Sequence, residues 1–337
     1  MKNWKKAGLT ALAGSLVATS AYAGAVTVSG TANLTYTANG GQEDSGEASG
    51  GGQHDGARWG INKTLSFSGS GELDNGWTVS VSQSLAAGST TGVGLTIDMG
   101  DAGSLNYEAD TGARGIGKIK DMMPTADEDV GNGIDVDGSA TAGGLSGTVS
   151  GGTKGFHYSN TVSDMIEIGL GYAPKGEAGN AQGGVGGIGG TASAYSGFIK
   201  VDPMDGLEIG FGAGEAAAGN ADASETDDHQ TVYATYVYGN LTVGYQLSNV
   251  ATPGSTADDE QTRWGVLYDV NDEVSISYQA HENDDSSNSV DEEATGVSAS
   301  YTSGGMTIGI LDADCGNCSY TANRDQSARA VQMTVAF

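Results

Sequence analysis

The sequence has little proline, little cysteine and few basic residues, and each shortage narrows what the chain can encode. Its 337 residues include 4 prolines, 2 cysteines and 14 lysines and arginines, against 42 acidic residues. The formal net charge of −28 disfavours nucleic-acid binding, which depends on cationic contacts to phosphate groups. No stretch of eighteen apolar residues follows the N-terminal region, which argues against a transmembrane helix.

Recognisable enzyme motifs are missing as well. The sequence has no H-E-x-x-H and no G-x-S-x-G, and its four histidines (His54, His157, His229 and His281) are scattered. The glycine run 183–190 does not lie between a strand and a helix, so it does not resemble a phosphate-binding loop. We therefore predict no catalytic residue and no specific cofactor.

The N-terminus has the pattern of an export signal. Lys2, Lys5 and Lys6 precede a short stretch of apolar and small residues that ends at Ala18. Ala21-Tyr22-Ala23 then offers small residues at both positions that a signal peptidase reads. We expect residues 1–23 to be a signal peptide and residues 24–337 the mature domain. A membrane anchor is the alternative, but the stretch is too short and too rich in Ala, Gly and Ser to span a bilayer.

The two cysteines form the single motif C-G-N-C at Cys315 and Cys318. A zinc or redox reading is weak, because there is no second pair and no nearby histidine to complete a site. For an exported protein, a disulfide within a loop is the default interpretation.

What the sequence does have is glycine and alternation. Glycine contributes 57 of the 337 residues, more than twice its usual share of about 7%. Short segments alternate apolar with polar residues, as in Trp59, Ile61, Leu65 and Phe67 against Asn62, Thr64 and Ser66. This period of two is typical of strands with one polar face. Sixteen such segments can be identified, and the chain closes with Val331, Met333, Val335 and Phe337.

The connections between these segments alternate in length. Short turns such as Asp74-Asn75-Gly76 and Gly239-Asn240 alternate with loops of roughly a dozen residues or more. We also expect turns at residues 160–164 and 202–206. Short turns on one side and longer loops on the other, with an even number of strands, predict an all-β fold: a 16-stranded antiparallel transmembrane β-barrel.

At this point the sequence resembles the general bacterial porins of the alphaproteobacterial type. The resemblance covers the mature chain and rests on Val26-Thr27-Val28-Ser29-Gly30, on Gly56-Ala57-Arg58-Trp59-Gly60-Ile61, on the terminal Phe337 and on the long connection after strand five, Thr111 to Gly152. It implies an outer-membrane location, a homotrimer, passage of small hydrophilic solutes, and recognition of Phe337 by the barrel-assembly machinery. It also implies that the loop 111–152 folds into the barrel and narrows it.

The candidate constriction residues carry charge. Arg114, Lys118, Lys120, Asp121, Asp127, Glu128 and Asp129 lie in the long loop, while Arg58 and Arg263 share the polar face of their strands. Lys63 and Arg329 fall on the apolar face, which is compatible with a bulge, a strand end near the headgroups or a subunit interface. The loop lacks the Pro-Glu-Phe-Gly-type motif of familiar relatives, so its assignment depends on position and charge.

Loss of the three lysines with the signal peptide would leave a mature charge of −31, so we expect a pore that prefers cations. Acidic runs such as Asp258-Asp259-Glu260 could be solvated, or could bridge to lipopolysaccharide through divalent ions. No D-x-D-x-D-G loop is present, so any Ca²⁺ binding there is expected to be unspecific. A substrate-specific channel remains an alternative, and so does a secreted Gly- and Asp-rich adhesin, although no short repeat supports the adhesin.

Overall fold

The computed structural model describes residues 26–41, 56–86, 89–108, 114–131, 155–174, 193–217, 226–251, 258–286 and 288–337. The predicted signal peptide and most of the predicted external loops lie outside these ranges. The described parts contain sixteen strands: β1 Thr27–Gly41, β2 Gly56–Glu72, β3 Thr78–Ala86, β4 Ser89–Asp98, β5 Ser104–Glu108, β6 Gly155–Ser163, β7 Ile166–Ala173, β8 Ala194–Met204, β9 Leu207–Ala217, β10 Thr226–Tyr238, β11 Leu241–Ala251, β12 Asp258–Asp269, β13 Val274–Asp285, β14 Glu292–Ser303, β15 Met306–Gly316 and β16 Gln326–Ala336.

The strands form one closed barrel in which each strand pairs antiparallel with its neighbours in sequence. The ring closes where β1 pairs with β16, from Thr31 opposite Ala336 to Gly41 opposite Gln326. The terminal Phe337 extends this seam, because its backbone exchanges two hydrogen bonds with Gly30. The predicted all-β fold with sixteen antiparallel strands is confirmed. No helix in the described ranges is long and apolar enough to cross a membrane.

Each strand alternates between an apolar outer face and a mainly polar inner face. On β11, Val243, Tyr245 and Leu247 are exposed, whereas Gln246 and Ser248 on the opposite parity are buried. The same holds around the barrel, where the exposed large side chains belong mostly to Val, Ile, Leu, Tyr and Trp. An outer surface of this kind suits a hydrocarbon solvent.

Several strand ends differ from the sequence-based expectation. Residues 160–163 were predicted as a turn but continue β6, which pairs with β7 through a bulge near Thr161. Pro203 was also placed in a turn, yet β8 runs to Met204 across an irregular register. A bulge accommodates proline because it needs no ladder N–H there. Longer strands leave a shorter connection at 317–325 than the expected dozen residues.

The register also shows whether the two basic residues on the apolar face occupy bulges. Lys63 and Arg329 lie on continuous ladders opposite Ala32 and Ala38, so neither occupies a bulge. Both are exposed on the outer face, and Arg329 donates to the Asp312 carboxylate at 2.7 Å across β15 and β16. The pair is exposed, so we assign it little stability.

Aromatic rings cover glycines on neighbouring strands inside the barrel. The buried Tyr233 ring lies over Gly210, its direct partner across β10 and β9, and its hydroxyl donates to Glu208 at 2.6 Å. The Phe198 ring covers Gly169 in the same way across β8 and β7. Such pairs fix the register, because the ring fits only where the partner lacks a side chain.

We therefore expect Gly210→Val to destabilise the barrel by about 2 kcal/mol, since the new side chain would occupy the position of the Tyr233 ring. The readout is the temperature at which the SDS-resistant, fast-migrating form on unboiled gels converts to the unfolded form. The matched control is Gly60→Val on β2, where a side chain would meet open space. Equal conversion temperatures for the two variants would contradict the role assigned to this pair.

Candidate functional site

Residues 114–131, here called the inner segment, lie inside the barrel between β5 and β6. They begin with a 3-10 helical turn, Gly115–Ile119, and continue without regular structure to Gly131. The segment contacts inward-facing residues of the strands from β6 to β16, and so follows most of the inner wall. The remainder of the predicted loop, 132–152, lies outside the described residues.

Inward polar side chains satisfy the backbone of the inner segment. The N–H groups of Gly115 and Ile116 donate to His157 Nδ1 and Ser196 Oγ at 3.1 Å each. Farther along, the N–H groups of Met122, Ala126 and Val130 donate to Gln246, Ser277 and Gln279 at 2.9–3.0 Å. A segment with few internal hydrogen bonds can be held inside a barrel because the wall supplies partners.

Gln246 makes three hydrogen bonds to the segment. Its side chain is fully buried, and its Nε2 donates to the carbonyls of Ile119 and Lys120 at 2.9 and 3.2 Å and to Thr231 Oγ1 at 2.9 Å. Its Oε1 accepts from Met122 N. One amide thereby fixes the point where the 3-10 turn ends.

The wall beneath the segment is lined with glycines. Ile116 and Ile119 are completely buried, and a side chain at Gly212 would meet both. Other wall glycines lie under the segment in the same way: Gly155 under Arg114, Gly171 under Gly115, Gly244 and Gly265 under Pro124, Gly296 under Val130, and Gly309 under Asp127. These glycines form a groove that lets the segment approach the sheet.

A charged cluster joins the segment to β12. Arg263 is 2% exposed, and its Nη1 lies 3.0 Å from Asp121 Oδ2 and 3.3 Å from Asp129 Oδ2. Its Nε donates to Gln261 Oε1 at 2.8 Å. One guanidinium thus stands between two carboxylates, so its positive charge does not face the lumen freely.

Two further acids are held near the closing seam. Gln332 on β16 donates from Nε2 to Asp127 Oδ2 at 2.6 Å and to Glu128 Oε1 at 2.9 Å. Burial raises the pKa of Asp127 above its usual value. Gln332 lies opposite Thr35 on β1, and Thr35 lies opposite Gly60 on β2. The exposed, inward-facing Arg58 is two residues from Gly60, so it lies two strands from Gln332.

The nine predicted site residues therefore fall into separate places. Asp121, Asp129 and Arg263 are brought together, whereas Asp127 and Glu128 lie against β16. Arg114 is buried at the start of the segment, Lys118 is exposed and Lys120 is partly buried. Arg58 has the predicted inward parity, opposite Thr37.

Sequence reasoning missed the uncharged residues that hold the segment. Gln246, Gln279 and Gln332 all lie on the polar parity of their strands. Long amides among Ser and Thr on that parity are a usable signal, because a long amide can both donate to and accept from the backbone of an inner segment. The glycine groove had no signal beyond high glycine content.

The candidate disulfide lies at the far end of β15. Cys315 and Cys318 are bonded, with a Cα–Cα distance of 5.7 Å. Within the described ranges, no group of three or more His, Cys, Asp or Glu side chains is placed to hold a metal ion.

The pKa of the Asp129 carboxyl group can be tested by titration. Burial, and then the negative charge of Asp121, raise the pKa of Asp129 from 3.8 to about 7, although Arg263 opposes the rise. The folded protein therefore holds an extra proton between about pH 4 and 7 and loses stability as the pH rises through that window. Infrared titration of the folded barrel should show a carboxyl band with a midpoint near pH 7.

The Asp129→Asn variant should lack this band, whereas Asp74→Asn, in an exposed turn, should retain it. A wild-type titration in which every carboxyl group ionises below about pH 5 would contradict the raised pKa.

Comparisons with known proteins identify the fold. The chain is similar to the anion-selective porin from Comamonas acidovorans, with a TM-score of 0.62 at 14% identity over 93% of this chain and 99% of that one. OmpT of Vibrio cholerae gives 0.62 at 11% identity over 95% and 99%. A mutant of the Rh. blastica porin gives 0.61 at 13% identity over 93% and 100%.

No curated protein matches the sequence significantly. The family model for Gram-negative porins, however, matches residues 8–311. That match covers most of the chain and agrees with the closed barrel of sixteen strands. The chain belongs to the Gram-negative porin family and is an outer-membrane channel protein, not an enzyme.

Proposed function

We propose that the barrel passes small hydrophilic solutes and ions by passive diffusion, and that the inner segment forms its constriction. The observation that carries the proposal is the path of the segment along the inner wall from β6 to β16, fixed by hydrogen bonds at residues from Gly115 to Val130. A segment fixed inside a closed barrel reduces the cross-section that remains for water and solutes.

The part of the wall that the segment does not cover, β1 to β5, supports an aqueous path. The inward residues of β1 to β5 are mainly Ser, Thr and Asn, including the bonded pairs Ser66–Ser84 and Asn106–Thr96. Hydroxyl and amide side chains replace part of the hydration shell of a passing solute without binding it strongly. This lining suits a general channel.

We further propose a preference for cations. Arg263 is paired with Asp121 and Asp129, whereas Arg58 on β2 and Lys118 on the inner segment are exposed bases. Asp127 and Glu128 both accept hydrogen bonds from the uncharged side chain of Gln332. The anion selectivity in the name of the Comamonas acidovorans porin belongs to that protein, which shares only 14% identity.

The proposal also includes assembly into a homotrimer, export with cleavage after Ala23, and recognition of Phe337 by the barrel-assembly machinery. They are supported by the resemblance and by the sequence pattern. The outer-face Lys63 and the Arg329–Asp312 pair are compatible with a subunit interface or with lipid headgroups. Cross-linking of the detergent-solubilised protein, followed by mass determination, distinguishes a trimer from a monomer.

The selectivity is tested by the reversal potential across a planar bilayer in a salt gradient. We expect wild-type channels to favour cations, and the double variant Asp127→Asn/Glu128→Gln to lower the cation-to-anion permeability ratio by roughly two- to threefold, because two charges beside the ion path are lost. Asp74→Asn is the matched control on a turn outside the lumen. Clear anion preference of the wild type would refute the proposal.

The constriction is tested at the glycine groove. Gly212→Leu inserts a side chain between the wall and Ile116, and should push the segment toward the lumen. We expect the single-channel conductance to fall by roughly half, since the narrowest cross-section limits conduction. Gly60→Leu, on the wall that the segment does not cover, should change it much less. Equal conductances in folded wild type and Gly212→Leu would mean that the segment does not limit the pore.

A further inference from the structure

A chain of buried polar side chains runs along the inner wall from the inner segment to the loop that follows β15. Arg263 donates from Nε to Gln261 Oε1 at 2.8 Å, and Gln261 Nε2 donates to Asn283 Oδ1. Asn283 Nδ2 donates to Glu292 Oε1 at 2.8 Å. The other oxygen of Glu292 accepts from the backbone N–H of Ser319 at 2.6 Å. We call Gln261, Asn283 and Glu292 the buried relay.

The barrel register produces this alignment. Gln261 pairs directly with Asn283 across β12 and β13, and Asn283 pairs directly with Glu292 across β13 and β14. All three face inward and are 0–2% exposed. Burial removes competing water, so each polar atom must be satisfied by a neighbour.

The carboxylate of Glu292 fixes the direction of every bond in the relay. An ionised carboxylate only accepts hydrogen bonds, so Asn283 must turn its NH₂ toward Glu292 and its oxygen toward Gln261. Gln261 must then turn its NH₂ toward Asn283 and its oxygen toward Arg263. Arg263 needs that oxygen, because a guanidinium has donors and no acceptor.

The outer end of the relay lies beside the disulfide. Ser319 follows Cys318 in a 3-10 turn, and the N–H of Cys318 donates to the Arg324 carbonyl at 2.8 Å. Asn317 Nδ2 donates to the Asp291 carbonyl at 3.0 Å. The Cys315–Cys318 bond therefore helps to hold the loop in the position from which Ser319 reaches Glu292.

We propose that Gln261, Asn283 and Glu292 are positioning residues that, with the disulfide loop as their outer anchor, hold Arg263 between Asp121 and Asp129. The inference rests on the proposed function, in which these two acids lie at the constriction. With the relay intact, Arg263 compensates the carboxylates. With the relay broken, the Nε–H of Arg263 loses the Gln261 oxygen as its acceptor, the guanidinium shifts away from the two acids, and the pore presents more negative charge.

The test is Glu292→Gln, which keeps the size of the side chain and removes the charge that orients the relay. We expect its cation-to-anion permeability ratio to rise about twofold over wild type, because the positive charge of Arg263 moves away from Asp121 and Asp129. Glu293→Gln is the matched control: it lies one residue along β14, exposed on the opposite face. No rise, a fall, or an equal rise in the control would overturn the proposal.

A double-mutant cycle separates positioning from general loosening of the wall. In the Arg263→Gln background, Glu292→Gln should cause no further change in the ratio, because no cation is left to position. An unchanged twofold effect in that background would overturn the relay. The SDS-resistant form on unboiled gels identifies the folded fraction of each variant.

The role of the disulfide loop is tested with Cys315→Ser/Cys318→Ser, which leaves every relay side chain in place. This variant also tests the proposal if Glu292→Gln does not fold. The permeability ratio should shift in the same direction as for Glu292→Gln, and an unchanged ratio would overturn the role of the loop.

The variant Asp127→Asn/Glu128→Gln distinguishes failure of the relay from failure of the proposed constriction. If that variant alters selectivity and the relay variants do not, only the relay is wrong; if it too has no effect, the proposed constriction fails.

Discussion

In hydrocarbon, a backbone N–H or C=O group without a partner costs several kcal/mol, and the pairing of β1 with β16 removes the two sheet edges where such groups would remain. Closure is what allows this acidic, glycine-rich chain to reside in a membrane at all. It divides every strand into an outer face that meets lipid and an inner face that meets water. The short turns, the outward apolar residues and the contact of Phe337 with Gly30 are all parts of that closed ring.

The same constraint governs the inner segment. Its backbone crosses the interior without a ladder, so amides and hydroxyls of the wall take the place of a neighbouring strand, with Gln246 as the clearest case. Close approach requires small residues beneath it, and glycines such as Gly212 and Gly244 provide the space. The charged groups follow from this placement. Arg263 lies between two acids and attaches the segment to β12, while Asp127 and Glu128 lie against β16, beside the strands that the segment does not cover.

Much of this could be predicted from the sequence, because a period of two is a local property. The sixteen strands and the inward parity of Arg58 and Arg263 follow from alternation, and the antiparallel barrel follows from the even strand count and the alternating lengths of the connections. Strand ends were less accessible: residues 160–163 have turn-forming side chains, but pairing with β7 outweighs that preference. The contacts of the segment could not be predicted, since Gln332 meets Asp127 across a separation of 205 residues and no local pattern records such a pairing.

The central claim is that the inner segment lines the narrowest part of the channel, and chemical modification of Lys118 tests it most directly. Lys118 is the exposed side chain of the 3-10 turn. In Lys118→Cys, a bulky charged thiol reagent added to an open channel in a planar bilayer should block most of the current in stepwise fashion, and a reductant should restore it. Complete labelling, shown by mass spectrometry, with the conductance unchanged would contradict the account.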